Sequence, residues 1–186
     1  MRHIKIIKPI SLIILLFLIT SCSNNSAMKP EDFKNKEPRL IIEEYLSGNV
    51  KAWGVLQNRS GKVTRQFSAD LNGTWDGKQL ILKEKFNWDD GEVQDREWTI
   101  TKIDEHNYEG TAGDVVGKAI GYSYGPAFKF EYVLLVPVKG KELKIYSVGE
   151  GIRINNIIKK KRIWNHFWIH FGAHFGLQNS QKSAPK

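Results

Sequence analysis

Residues 80–86, Leu80-Ile-Leu-Lys-Glu-Lys-Phe86, carry most of their apolar side chains at every second position. Successive side chains of a β-strand point to opposite faces, so this alternation indicates a strand with one buried face. Leu80, Leu82 and Phe86 share that face with Glu84. The stretch therefore predicts a sheet with an apolar side and a carboxylate placed on it.

The same two-residue period recurs from residue 39 to about 147, in short runs separated by Gly, Asn and Asp. Hairpin turns are predicted at several of these joins, among them Asn58-Arg-Ser-Gly61 and Asp76-Gly77. Strands are predicted at about 52–57, 63–72, 79–87, 95–103, 107–112, 129–137 and 142–147. A meander of about seven or eight strands favours a mainly β fold, an antiparallel meander that closes into a lipocalin-like β-barrel, because closure leaves no strand edge exposed. Residues 39–46 have helical spacing and predict a short N-terminal helix at one barrel end.

The N-terminus has the features of a bacterial lipoprotein signal peptide at residues 1–21. Basic residues precede an apolar run at 10–19 that is too short to span a bilayer comfortably. The run is followed by Thr20-Ser-Cys22, so Cys22 is predicted to be the lipidated first residue of the mature protein. Residues 22–37 are polar and predict a flexible tether.

The lipid anchor at Cys22 also predicts where the protein resides. A diacylglyceryl group and an amide-linked chain supply the two or more anchors that stable membrane attachment requires. Ser23 stands where aspartate would be the usual signal for inner-membrane retention. We therefore expect the protein in the bacterial cell envelope, lipid-anchored in the outer membrane and facing the periplasm, with the membrane as its partner and its protein partners left open.

The net charge of +8 does not indicate a nucleic-acid partner once it is divided by segment. Residues 1–21 and 162–186 each contribute three basic side chains and no acid. Residues 22–161 carry 22 basic and 20 acidic side chains, a net of +2. A nearly neutral domain lacks the basic footprint of nucleic-acid binding, and none is expected.

Histidine and cysteine are too sparse in the folded part to predict a metal site, a cofactor or a catalytic residue. Cys22 is the only cysteine, and His106 is the only histidine between the signal peptide and the C-terminal tail. His166, His170 and His174 have i, i+4 spacing, but no carboxylate accompanies them in the tail. Without a histidine base for a Ser or Cys nucleophile, binding is expected rather than catalysis, although the sequence leaves the question of enzyme activity open.

A charged cluster is nevertheless predicted around Glu84, because a carboxylate on an apolar face needs a cationic partner. Arg65 and Arg96 lie on the two neighbouring predicted strands, and Trp98 shares a face with Arg96. This cluster either ties neighbouring strands together or forms a ligand-binding or catalytic site. The ligand-binding candidates are Arg65, Glu84, Arg96, Trp98, Asp114 and Tyr122.

Asp114 and Tyr122 enter this set because glycines surround them. Asp114 lies between Gly113 and Gly117, and Gly121 precedes Tyr122. Glycine permits tight turns and close approach of a ligand, so this segment could form a lid over the barrel mouth. The alternative is that Asp114 only caps a turn.

Several motifs carry a resemblance to a known family. They include Gly73-Thr-Trp-Asp-Gly77, Arg96-Glu-Trp98 and, most specifically, Tyr108-Glu-Gly-Thr-Ala-Gly-Asp-Val-Val-Gly117. Over about residues 45–145 the chain resembles a family of proteobacterial lipoproteins known as domain of unknown function 3833. The resemblance implies a lipoprotein with a β-rich domain and brings no activity with it.

The C-terminus departs from the pattern of that family. Residues 38–158 are predicted to form the barrel domain, and residues 159–186 an aberrant tail. Lys159-Lys-Lys-Arg162 can be encoded by an uninterrupted run of adenines, where insertions and deletions are frequent. A one-base shift after this run converts each tryptophan codon to glycine and yields a strand-like alternation. We therefore hypothesise that residues 162–186 are a frameshifted replacement for a closing strand.

Three functional hypotheses follow from these features. The first is a lipocalin-like barrel that holds an apolar or lipid-like small molecule, because aromatic side chains accompany the predicted strands and catalytic groups are few. The second is an enzyme that acts on a lipid or isoprenoid substrate through the Glu84, Arg65, Arg96 and Asp114 side chains. The third is an envelope assembly protein, which would present an exposed apolar patch instead of a pocket.

Overall fold

The structure is a computed structural model that describes residues 29–58, 60–138, 140–154, 157–161 and 172–179. The predicted signal peptide, Cys22 and the tether up to residue 28 lie outside the described residues. A 3-10 helix, Pro30–Phe33, and a short α-helix, α1 (Ile42–Leu46), precede the strands. None of the helices in these ranges is both long and apolar enough to cross a bilayer.

The described residues form ten β-strands in an unbroken meander. They are β1 (Gly48–Gln57), β2 (Val63–Trp75), β3 (Gln79–Trp88), β4 (Val93–Lys102), β5 (Asn107–Ala112), β6 (Ala119–Tyr124), β7 (Ala127–Val138), β8 (Lys141–Ile154), β9 (Ile157–Lys161) and β10 (Gly172–Asn179). Each strand pairs antiparallel with the next, and β10 returns to pair with β1 from Val50↔Asn179 to Gln57↔Gly172. The sheet is therefore a closed barrel, and the predicted fold class is confirmed.

Local side-chain chemistry explains where the hairpins turn. The Asn58 Oδ1 accepts hydrogen bonds from the backbone N–H groups of Ser60 and Lys62 at 3.1 and 3.0 Å. The Asp76 Oδ1 accepts from Lys78 and Gln79 at 2.8 and 2.7 Å. Short polar side chains bond their own backbone in this way and reverse the chain. The turns predicted at these two positions are thus present.

The structure corrects the predicted strand count and two boundaries. Ten strands occur in the described ranges, where seven or eight were predicted. Residues 119–124 overlap the glycine-rich segment that could have formed a lid, but they form β6 in the barrel wall, paired with β5 and β7 and with Ala119 and Gly121 buried. The barrel also extends beyond residue 158, since β9 continues to Lys161 and β10 lies within the predicted tail. The frameshift hypothesis itself stays a prediction.

Alternating burial along the strands produces the apolar interior. Phe67, Ala69 and Leu71 of β2 are buried, while the residues between them are exposed. Their inward row lies beside the inward row of β3, because Leu71 pairs with Glu84 and Phe67 pairs with Trp88. Burial of each large apolar side chain contributes about 1.5–3 kcal/mol, so this inner face holds the barrel together.

The segment around α1 covers one end of the barrel. Leu40, Ile42 and Tyr45 are buried there. The backbone N–H of Leu40 donates to the Gly125 carbonyl at 2.8 Å. A Cβ at Gly73 would lie 1.9 Å from the Leu46 carbonyl oxygen, so only glycine allows the helix to sit this close to β2. The opposite end, where β2 begins and β3 ends, lies away from α1.

Candidate functional site

The barrel encloses a cavity of about 190 Å³. Its floor is formed by Leu40, Ile42 and Tyr45, so the segment around α1 closes it from below. Its walls are aromatic and aliphatic, with Trp98, Phe128, Phe130 and Tyr132 among them. Since an apolar cavity of about 150 Å³ binds benzene, this lumen can hold a molecule of slightly larger size.

Glu84 and Arg96 supply charge to a wall of this cavity. They are direct cross-strand partners in the β3–β4 register, and both line the lumen. The Arg96 guanidinium lies over the Trp98 ring, 4.6 Å from its centroid. Stacking on an aromatic face fixes the direction of the guanidinium, so its charge is held at one side of an otherwise apolar space.

Asp114 approaches Arg96 from the turn after β5. Its Oδ1 lies 3.1 Å from the Arg96 Nε. The backbone of this turn is tied to β7, because the Leu135 N–H donates to the Asp114 carbonyl at 2.8 Å and Val115 bridges to Leu134. The turn is therefore held against the wall, and Asp114 does not line the cavity itself.

The contact between Arg96 and Asp114 leaves hydrogen-bonding capacity unused. The Nε and Nη2 of Arg96 and the Oδ1 of Asp114 are buried without a hydrogen-bond partner. The 3.1 Å separation between the Arg96 Nε and the Asp114 Oδ1 is within the range of an ion pair. The Arg96 N–H group does not point at this oxygen, so the attraction is electrostatic and no hydrogen bond is formed. Buried polar groups without partners are costly, and functional sites are one of the places where native proteins tolerate them.

Tyr132 on β7 belongs to the same cluster, although sequence reasoning did not select it. Its ring packs edge-on against Trp98 with centroids 5.5 Å apart. Burial raises the pKa of the Tyr132 phenol, the Arg96 charge lowers this pKa, and the charges of Glu84 and Asp114 raise it. The two-residue spacing of Phe128, Phe130 and Tyr132 was the available signal, because it places all three on one strand face.

Two predicted candidates do not join this cluster. The Arg65 Nη2 donates to Asp90 and Glu92 at 2.8 Å each, and its guanidinium lies 4.0 Å from the Trp88 ring centroid. The β2–β3 register explains this, since Phe67 pairs with Trp88 and places Arg65 beside the next hairpin instead of beside Glu84. Tyr122 alternates with the inward Gly121 and does not line the cavity, so the structure does not support it as a ligand contact.

A second charged cluster lies under the cavity floor. The buried Glu43 of α1 accepts hydrogen bonds from the Tyr108 hydroxyl at 2.8 Å and from the Lys102 Nζ. Burial raises the pKa of Glu43, but the hydrogen bonds and the Lys102 charge outweigh it and lower the pKa overall. Burial and the bond to Glu43 raise the pKa of Tyr108. These contacts fasten α1 to β4 and β5 and belong to the scaffold of the site.

The arrangement suits the binding of an amphipathic molecule. Its apolar part would contact the aromatic walls, and its polar part would meet Arg96 and Glu84. Within the described ranges, no group of three or more His, Cys, Asp or Glu residues is placed to hold a metal ion. The side chains that line the lumen can supply hydrogen bonding, charge and proton transfer through a carboxylate or phenol.

Comparisons with known proteins place the chain in a family. No curated protein matches it. Among solved structures, it is similar to a redesigned beta barrel, mFAP1, bound to DFHBI, with 11% sequence identity and a TM-score of 0.38. The similarity covers 74% of this chain and 97% of that chain. The model of the family described as "Protein of unknown function (DUF3833)" matches residues 16–165, so the chain belongs to that family.

Proposed function

We propose that this protein binds an apolar or lipid-like small molecule inside its barrel. The observation that carries the proposal is the lumen itself, which is closed below by α1, lined by aromatic side chains and charged on one wall by Arg96 and Glu84. An apolar cavity with a few placed polar groups is the usual form of a ligand site. Its size suits a compact molecule or the end of a longer chain.

The sequence supports a location for this activity. The predicted signal peptide and lipidation at Cys22 would anchor the barrel to the periplasmic face of the outer membrane, close to lipid-like ligands. Cys22→Ser should abolish the incorporation of labelled fatty acid into the protein, whereas Ser23→Ala should leave the labelling unchanged. Labelling of the Cys22→Ser protein at the wild-type level would contradict the predicted anchor.

Native mass spectrometry of the full chain tests the binding proposal directly. A molecule that co-purifies with the wild-type protein and dissociates on activation is expected. Ala52→Leu should reduce its occupancy, because Ala52 is buried, lines the cavity and would project three more carbon atoms into it. Ser68→Leu is the matched control, since Ser68 is exposed on the neighbouring strand.

Two results would oppose the proposal. One is a wild-type protein that carries no adduct and binds no added apolar probe. The other is an adduct with equal occupancy in the wild-type, Ala52→Leu and Ser68→Leu proteins, which would place it outside the lumen. If Ala52→Leu does not fold, Ala52→Val makes the same test with a smaller added volume.

Catalysis on a lipid or isoprenoid substrate is a second candidate function. The favouring observation is that Arg96, whose Nε and Nη2 are buried without a hydrogen-bond partner, lines the same cavity as its cross-strand partner Glu84. In this scheme Glu84 is the acid or base, and Arg96 stabilises negative charge that develops on the substrate. Glu84→Gln should then abolish turnover while folding and ligand affinity survive.

An envelope assembly role would use the outer wall instead of the lumen. Trp53, Ile120 and Tyr146 are large side chains exposed on that wall. Polar substitutions at these positions would then remove a protein partner and leave the lumen ligand bound.

A further inference from the structure

The polar groups of the lumen specify the chemistry of the ligand's polar end. This inference rests on the proposed binding function and adds a ligand class to it. Arg96 has two buried nitrogens, Nε and Nη2, that donate no hydrogen bond. A ligand oxygen that reaches the guanidinium from the lumen would accept from one of its five N–H groups, since arginine can only donate. An ammonium group has no lone pair to offer and cannot do so.

The charge around Arg96 argues against an anionic oxygen. Glu84 is its direct cross-strand partner, and the Asp114 Oδ1 lies 3.1 Å from its Nε. Glu84 and Asp114 contribute two negative charges and Arg96 one positive charge, so these three side chains carry a net charge of about −1. A carboxylate or phosphate on the ligand would meet this negative charge and would also lose its hydration inside an apolar cavity.

We propose that the lumen selects a neutral oxygen acceptor, an ester or amide carbonyl on a short apolar chain, with its oxygen on the Arg96 guanidinium. A ligand that ends in an ionised carboxylate is excluded by the negative charges of Glu84 and Asp114. An ammonium group is excluded because it cannot accept a hydrogen bond from Arg96 and would lose its hydration inside the apolar cavity. The apolar chain lies along Trp98, Phe130 and Tyr132, which line the cavity.

The test uses three probes with the same six-carbon chain, namely hexanamide, hexanoate and hexylamine, because the cavity is slightly larger than one that binds benzene. The full chain is held in an amphipathic polymer at about pH 7.5, where hexanoate is an anion and hexylamine a cation. Ligand-detected NMR titrations give the dissociation constants. Hexanamide should bind at least about tenfold more tightly than either charged probe, because each charged probe loses its hydration inside the apolar cavity.

The same titrations on the double variant Glu84→Gln/Asp114→Asn give the sharper test. It keeps the shape of both side chains but changes the cluster charge from about −1 to about +1. Hexanoate should then bind more tightly than hexanamide, a reversal of the wild-type preference. Asp90→Asn is the matched control, because Asp90 pairs with Arg65 outside the cavity and should leave the preference unchanged.

The possible outcomes separate the inference from the proposed function. Wild-type protein that binds hexanoate or hexylamine more tightly than hexanamide overturns the ligand class and leaves lumen binding intact. Binding of none of the three probes overturns lumen binding itself. A double variant that folds and keeps the wild-type order of affinities also overturns the inference, since the carboxylates would then not be the cause of the selection.

Discussion

The Nδ2 of Asn179 donates a hydrogen bond of 2.6 Å to the backbone carbonyl of Tyr45, from the last described strand to the capping helix. The Tyr45 hydroxyl returns a 3.0 Å bond to the Leu177 carbonyl. Both Asn179 and Tyr45 are almost completely buried. The strand that closes the barrel and the helix that closes its end are thus fastened to each other, so loss of one should loosen the other.

Asn179→Ala should destabilise the fold by about 1–3 kcal/mol, because it leaves the buried Tyr45 carbonyl without its donor. The unfolding free energy from urea denaturation followed by circular dichroism measures this. Gln178→Ala is the control, since Gln178 is exposed and its neighbour Asn179 is not. Equal stability of the two variants would show that β10 does not contribute to closure as described.

Gly73→Ala should displace α1 from the barrel end. The added Cβ would lie 1.9 Å from the Leu46 carbonyl oxygen, a backbone atom that cannot rotate away. A cost of at least about 1–3 kcal/mol is expected, with greater exposure of the cavity floor to solvent. Gly113→Ala is the control because its Cβ would meet no atom within 4 Å. Hydrogen exchange at Tyr45 and Leu46 as slow as in the wild type would contradict this role of Gly73.

Glu43→Gln should reduce stability at neutral pH and flatten its dependence on acid. The folded-state pKa of Glu43 lies below its ordinary value of 4.5, so its contribution is complete above that value and is lost as the pH falls through the folded pKa. The difference in unfolding free energy between wild type and variant should therefore shrink as the pH is lowered from about 7 to 3. A difference that stays constant over this range would be evidence against the ionised Glu43 described above.

Arg65→Gln should lower stability by about 0.5–1 kcal/mol, because it removes a partly exposed ion pair with Asp90 and Glu92. The affinity for hexanamide should not change, since Arg65 does not line the cavity. Chemical denaturation and the NMR titration measure the two quantities separately. A tenfold loss of affinity would show that Arg65 contributes to ligand binding, as the sequence predicted.

The nucleotide sequence of the gene tests the hypothesis that residues 162–186 are frameshifted. Resequencing the genomic DNA through the codons of Lys159–Arg162 should reveal an adenine run, followed in the neighbouring frame by codons for an alternating, glycine-containing strand. The family match ends at residue 165, close to this point. A neighbouring frame that encodes stop codons or no alternating segment would refute the frameshift.

Much of the fold was accessible from the sequence because strand period and turn chemistry are local. The alternation of residues 80–86 predicted β3, and Asn58 and Asp76 predicted their turns. The pairing of Glu84 with Arg96 also followed, because adjacent hairpin strands bring inward residues opposite each other. β6 was not predicted, because the glycines around Gly121-Tyr-Ser-Tyr124 are more typical of a loop than of a strand.

The sequence by itself therefore determined the antiparallel meander, the inward face of the strands that it predicted and the Glu84–Arg96 pair, since these depend on period and on neighbouring strands. Only the tertiary structure decided that Arg65 turns to Asp90 and Glu92, that Tyr132 joins the cluster and that Asn179 holds Tyr45. The physical reason is register and closure. A shift of two residues in the pairing register of neighbouring strands moves an inward side chain by one row in the lumen. Contacts between strands that are distant in sequence form only when the barrel closes.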